Sequence, residues 1–495
     1  MSLDLDNKVV QNNIKLFQKR GILLPTLDQM VDPSKIPQEV REALMKVDIE
    51  ETNPLNLFRI TWKNDGKTGG FRDVPNFVEL PSSLTGTKAR MVLLAGKYFP
   101  TGAHKVGATF CALVDHLTTG RFDPEVQEAM WPSTGNYCRG GAFDSCLLGC
   151  KAVALLPEEM SQERFDYLRR LGAEVFGTPG CESNVKEIFD KAKELCGERG
   201  ENIVNFNQFE QLGNPAWHKF CTGRAVEEVF NSIKHEGDEL AGYFSMSGSA
   251  GTIGASEHLR EVFPHVLVGV GEPEQCPVLT ENGFGGHRIE GVGDKHVPWV
   301  HNVKNMDFAA QIDDDLTVDV FRMCMEPVGR EYLRSKGVEF TDEDIELLGI
   351  SGFGNLLGAI KMAKYYELTE NDVVFTIATD SSRMYMSRLE EYTKAKGPFT
   401  RDDAVATYAR LMDMRTEGCV EMTYAERKRV HNLKYFTFVE QQGKTVEELN
   451  AQWYDRNYWQ RELGMADALN VRIAEFNKHI LAGKTVAEFL KEHSH

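Results

Sequence analysis

The stretch RMVLLAGKYFPTGAHKVGATF, Arg90 to Phe110, decides how this chain folds. Its apolar opening reads as a buried strand, Pro100 to Gly102 as a turn, and the small residues after Lys105 as a helix. The same succession recurs along the chain. Short apolar runs (FVEL, KAVALLP, AEVFGTP, ENIVNF, LAGYFSMSG, HVLVGVGEPE, DVVFTIATD) alternate with helical patterns such as SNVKEIFDKAKELCGERG. A parallel strand needs a crossover to return to its sheet, so the alternation indicates an α/β protein with mostly parallel sheets and helices on both faces. Ligands of such folds sit at the carboxyl ends of the strands. A single lysine at a helix start is ordinarily a solvated surface residue, so Lys105 acquires meaning only from what gathers around it.

With 495 residues the chain is too long for one small core, and about 100 to 200 residues per domain suggests two to four units. Residues 1–73 read as a polar N-terminal extension. The strand and helix alternation fills 74–390, and 391–495 read as a helical extension carrying Trp453 and Trp459. A formal net charge of −18 argues against nucleic acid and anionic membranes as partners, since both require clustered basic residues. The opening MSLDLDNKVVQNN is polar and acidic, and no apolar run is long enough to span a bilayer, so the expected location is the cytoplasm. Ten cysteines without regular spacing fit reduced thiols. Cys138, Cys146 and Cys150 lie near one another in sequence, but no histidine stands at ligand spacing. The expectation is a packed helix face and no metal.

Three further features keep company with Lys105. PSTGNYCRGG, Pro132 to Gly141, leads a loop of hydroxyl and glycine residues into a helix, and backbone amides at such a start suit a carboxylate. An ordinary helix cap would look the same. FSMSGSAGTIGA, Phe244 to Ala255, follows a strand with glycines at 248, 251 and 254 and hydroxyls at Ser249 and Thr252, which suits a phosphate. Its spacing is neither a Walker A loop nor a dinucleotide fingerprint. In FTIATDSSRMYM, Phe375 to Met386, a strand ends in Asp380, Ser381 and Ser382. A lysine amine, a phosphate loop, a carboxylate loop and a polar strand end together describe the needs of pyridoxal 5'-phosphate.

From about Pro75 to Leu389 the chain resembles the β-family of pyridoxal phosphate enzymes, the group of cysteine synthase and cystathionine β-synthase. The matching pieces, in order, are PNFVEL, GAHKVGA, STGN, LPEEMSQERFDYLRRLGAEV, NPAWHKFCTGRAVEEV, GSAGT, HRIEGVG, GISGFG and ATDSSRMYM. The resemblance implies two lobes enclosing the cofactor, the smaller (about 106–215) inserted in the larger. The aromatic-rich segments LKYFTFVEQQ and AQWYDRNYWQREL after Glu390 must bury their apolar faces on a second subunit or on their own core, and the expectation is a homodimer. The resemblance also implies that Lys105 forms the Schiff base, that Asn136 meets the ring hydroxyl, and that Gly248, Ser249, Ala250, Gly251 and Thr252 hold the phosphate. Ser381 would face the pyridine nitrogen. Ser133, Thr134, Gly135 and Gln208 would bind the substrate carboxylate. The piece TGAHK is closer to the tryptophan synthase β subunit and suggests that His104 also reaches the phosphate. Ser133 stands where that enzyme carries a catalytic glutamate, which disfavours an indole acceptor.

A serine facing the pyridine nitrogen would leave the ring a weaker electron sink, favouring loss of a β-substituent over transamination or racemisation. The expected activity is β-elimination on serine, cysteine or a related amino acid through an aminoacrylate. The alternative is a β-replacement synthase of the cysteine synthase type. A non-catalytic scaffold is the remote third reading, disfavoured by Lys105 and Asn136.

Overall fold

Met91, Val92, Leu93 and Leu94 are all buried, so the strand they form is covered on both faces and lies inside a sheet. The computed structural model describes residues 3–133 and 135–493, and among these eleven strands form two sheets. They are β1 (Phe77–Leu80), β2 (Arg90–Ala95), β3 (Glu128–Pro132), β4 (Lys151–Pro157), β5 (Glu174–Thr178), β6 (Ile203–Asn205), β7 (Glu239–Met246), β8 (Leu267–Pro273), β9 (Phe308–Ile312), β10 (Asp372–Ala378) and β11 (Cys419–Glu421). The larger sheet has the order β1-β2-β10-β7-β8-β9-β11, parallel through its centre and antiparallel at both edges. The smaller sheet, β5-β4-β3-β6, is parallel throughout. The α/β architecture expected from the alternation is therefore observed.

Three strands escape a reading of the sequence. β3 (EAMWP) has no β-branched residue and β9 (FAAQI) has one, so their local preference for a strand is weak, and burial between neighbours decides the outcome. β11 lies in the otherwise helical segment beyond residue 390. Its three residues pair with Phe308, Ala309 and Ala310 and cover the sheet edge at β9.

The helix Lys105–Thr119 leaves β2 of the larger sheet and leads to β3 of the smaller one. Every residue from Lys105 to Thr118 is buried, the mark of a helix covered all round. Part of that cover comes from both extensions, because the helices Lys8–Arg20 and Met465–Leu481 pack on it and on each other. Phe17 and Phe476 meet edge to face at 5.7 Å, Arg472 pairs with Asp115, and the Asn477 amide bonds both backbone groups of Leu24. Phe17, Leu469, Ile473 and Phe476 are completely buried, and each such side chain contributes about 1.5–3 kcal/mol relative to exposure. Among the described residues no helix is long and apolar enough to cross a membrane.

Candidate active site

The carboxyl ends of β2, β10 and β7 lie side by side, and the segments leaving them converge on one cavity. From β2 comes Lys105, from β7 the loop after Met246, and from β10 Thr379. Ser133 and Asn136 reach the same cavity from the end of β3, so it lies between the two sheets.

Lys105 is 8% exposed, and its Nζ donates to Ser249 Oγ at 2.8 Å. Asn214 Nδ2 donates to the same hydroxyl at 3.0 Å. Burial pulls the amine down to about 8, against the opposing pull of the Asp294 and Glu182 charges. A useful fraction is therefore uncharged near neutrality.

The loop that carries Ser249 is built to receive an anion. Ala250 has φ of 60°, a left-handed conformation costing a non-glycine residue roughly 1–2 kcal/mol, and Gly251 follows in the right-handed helical region. Such a pair turns successive N–H groups into one concavity. Among the described residues nothing accepts from the N–H groups of Gly248, Ser249, Ala250 or Gly251. A Cβ on Gly251 would stand 1.9 Å from Asn214 Oδ1, so only glycine allows that asparagine to brace the loop.

Asn136 opens the helix Asn136–Leu148 and donates from Nδ2 to Asp380 Oδ2 at 2.6 Å. Its Oδ1 is buried and has no partner among the described residues. Gly135 before it has φ of 150°, and a Cβ there would lie 2.7 Å from the Arg164 guanidinium. The Gly135 N–H donates to Ser133 Oγ at 3.0 Å. Thr134 lies outside the described residues. Arg164 is completely buried, pairs with Glu290 at 2.6 Å and donates to Tyr385 OH at 3.1 Å. Gly135 and the helix start that follows it thus rest on a charge network that joins the two sheets.

Lys105, Ser133, Asn136, Gln208, Gly248, Ser249, Ala250 and Thr252 all line the cavity. Gly251 and Gly135 neighbour lining residues in sequence but do not line it themselves. The structure does not bring Ser381 or His104 to it. At the end of β10 the chain turns so that Asp380 points inward to Asn136, while Ser381 lines an outer hollow with Lys97 and Arg383. His104 is one position back from Lys105, and the helical turn of about 100° per residue carries it away. Its ring packs against His218 at 4.9 Å and Trp62 at 5.5 Å, and burial holds it neutral with a pKa of about 3.

Three further residues at the site have no role assigned to them from the sequence. Asp380 is fully buried and burial raises its pKa, with Arg164 opposing. Asn355, on the apolar helix Ile350–Tyr365, accepts from Met246 N at 2.6 Å and donates to Ile377 O at 2.8 Å, fastening the ends of β7 and β10. A lone amide in so apolar a helix was the available clue. Asp294 follows the cavity-lining Gly291 and Val292. Both its oxygens are buried without a partner among the described residues, and burial lifts it to about 7 while the Lys105 charge opposes.

Comparison with known proteins places the chain among relatives. The family model described as pyridoxal-phosphate dependent enzyme matches residues 79–380. Cysteine synthase of Staphylococcus aureus (strain Mu50) is 31% identical over 257 residues, covering 52% of this chain and 74% of that protein. A probable cysteine synthase of Bacillus subtilis (strain 168) is 30% identical over 301 residues, covering 60% and 89%. The crystal structure of a hydrogen sulfide-producing enzyme from Fusobacterium nucleatum superposes with a TM-score of 0.55 at 21% identity, covering 67% of this chain and 92% of that one.

Proposed function

Since the chain belongs to the pyridoxal-phosphate dependent enzymes, we propose that it is a lyase that removes the β-substituent of a small amino acid of the serine and cysteine type. The residues fit the cofactor. The open N–H groups of Gly248 to Gly251 suit its phosphate, the buried Asn136 amide its ring hydroxyl, and the Lys105 amine its aldehyde. Ser133, Gly135 and Gln208, together with Thr134, are assigned to the substrate carboxylate. When bound, the cofactor supplies an electron sink for negative charge at the substrate Cα.

The protein's own groups do the rest. Lys105 Nζ takes the Cα proton, a role suited to an amine poised at about 8. The β-substituent leaves with its bonding electrons and takes up a proton. Asp294, raised by burial to about 7 and interacting by charge with Lys105, is a second proton store near the amine. Hydrolysis of the remaining carbon skeleton gives pyruvate and ammonia. The observation that carries this reading is the buried Lys105 amine 2.8 Å from Ser249, at the rim of an anion concavity.

β-Replacement by a thiol is the second reading, supported by the cysteine synthase names of the relatives. Residues 74–390 are assigned as the catalytic core. A cytoplasmic setting is supported by ten free cysteines, and a homodimer by the exposed Tyr424, Phe436 and Tyr454. The deciding experiment offers serine, cysteine, threonine, O-acetylserine and 2,3-diaminopropionate to the loaded protein, with and without sulfide, and follows pyruvate, ammonia and sulfide. Pyruvate without an acceptor is the expected outcome. Cysteine formed from O-acetylserine and sulfide with no pyruvate establishes the second reading, and inertness toward all five overturns both.

A further inference from the structure

Lys434 closes the helix Tyr424–Lys434, outside the segment matched by the family model, and is completely buried. Its Nζ donates to Trp299 O at 3.0 Å, His301 O at 2.6 Å and Gln452 Oε1 at 2.7 Å. All three partners are acceptors. Three acceptors require three N–H bonds, which only the ammonium form has. The Gln452 amide is fixed in this orientation because its Nε2 donates to Trp299 O at 3.1 Å. The Trp459 ring lies 5.4 Å from the ammonium and adds its π face. Among the described residues no carboxylate pairs with Lys434. Burial pulls the Lys434 amine well below its ordinary 10.5, and the three acceptors, each of which needs an N–H, oppose that pull, so the oxygen cage is what keeps the charged form.

That cage is part of the loop bordering the cavity. Gly291 and Val292 line the cavity, and the chain then passes Asp294 to reach Trp299 and His301. The Val300 N–H between them donates to Phe209 O at 3.1 Å, and Phe209 follows the cavity-lining Gln208. Phe438 of the C-terminal extension packs on Trp299 at 5.6 Å, and His296 of the loop packs on Phe209 at 4.7 Å.

We propose that Lys434 is a tethered monovalent cation: its ammonium fills a cage of two backbone carbonyls and one amide oxygen, and so holds the loop from Gly291 to His301, and Phe209 with it, in place beside the cavity. Lys434 is a positioning residue, and the C-terminal extension supplies an ion that would otherwise have to come from solution. With the side chain cut back, the same oxygens form a site for a free cation of ammonium size.

The test compares the full-length wild type, Lys434→Ala and Lys434→Met in ammonium, potassium, sodium and tetramethylammonium chloride at equal ionic strength. Two quantities are read: the melting temperature, and the affinity for added pyridoxal phosphate. The wild type should melt alike in all four salts. Lys434→Ala should melt lower and bind the cofactor roughly tenfold more weakly, the scale of loss that follows from small misplacement at a site. Ammonium, with potassium next, should restore both, and tetramethylammonium neither. Lys434→Met fills the cage with an uncharged chain and should be restored by no salt. Equal response of Lys434→Ala to all four salts, no response to any, or failure to fold even with ammonium overturns the proposal. So does a wild type that is itself selectively stabilised by potassium. Restored melting with cofactor affinity never altered would refute the positioning role.

Discussion

Asp380, at the end of β10 in the larger sheet, accepts a hydrogen bond from Asn136 Nδ2 at 2.6 Å, the first helical residue after β3 in the smaller sheet. The same carboxylate oxygen accepts from Tyr385 OH at 2.7 Å, which in turn accepts from Arg164. One side chain therefore orients the amide assigned to the cofactor ring and ties it to the charge network around Arg164. Removing the carboxylate strands two buried donors, each costing on the order of 1–3 kcal/mol. Asp380→Ala is expected to lose about 2–4 kcal/mol in urea unfolding and to bind pyridoxal phosphate more weakly. Asp380→Asn keeps an acceptor oxygen and should lose less on both counts. An alanine variant as stable and as avid as the wild type would show that the contact orients nothing.

The Lys105 amine sits at about 8 because burial disfavours its charge. Only the free amine attacks an aldehyde, so the rate at which cofactor-free protein takes up pyridoxal phosphate should climb about tenfold per pH unit and level off above 8. Lys105→Ala should fold normally, a single lysine at a helix start being worth about 1 kcal/mol or less, and should give no borohydride-stable adduct. Peptide mapping that places the adduct on Lys97 would refute the assignment.

Asp294 is raised from the ordinary 3.8 to about 7 in the folded chain. The folded state then binds more protons than the unfolded state across that window. Its stability contribution is complete below about 4 and is lost as pH rises through 7. In the cofactor-free protein, Asp294→Asn should remove this loss, so its melting temperature should gain on the wild type progressively between pH 4 and pH 7. Parallel melting curves across that range would mean that Asp294 is not held protonated.

Ala250 keeps a left-handed conformation at φ 60°. Glycine adopts it freely, so Ala250→Gly should stay within about 1 kcal/mol of the wild type in stability and retain the cofactor. A β-branched residue is far less tolerant there, and Ala250→Val should weaken phosphate-dependent cofactor binding by tenfold or more, about 1.4 kcal/mol. Fluorescence titration with pyridoxal phosphate reads both variants. Equal binding by the valine variant would show that the loop does not form the anion concavity.

Lys105 and the loop from Gly248 to Thr252 were legible because each stands where a strand gives way to a turn and a helix, a junction with a period and a composition, whereas Asn136 and Gln208 were implied only by the family resemblance. Asp380 and Ser381 are adjacent polar residues at one strand end, and a turn of one residue decides which faces inward, so no pattern in the letters distinguishes them. His104 and Lys105 pose the same problem on a helix. Asp294 lies in a loop without period, and what marks it, two buried oxygens without partners, exists only after folding. β11 was hidden for another reason: three residues carry too little pattern to outweigh the helices on either side, and the open edge of β9 recruits them.

The helix Lys8–Arg20 lies against the helix Met465–Leu481, and Asp115 on the helix begun by Lys105 pairs with Arg472. A ribosome adding about 5–20 residues per second needs roughly twenty to ninety seconds to get from one of those outer helices to the other. Throughout that interval the nascent chain carries Phe17 and the far side of the Lys105 helix without their final cover. The centre of the fold therefore waits for Met465–Leu481 to be made, however early the peripheral strands pair.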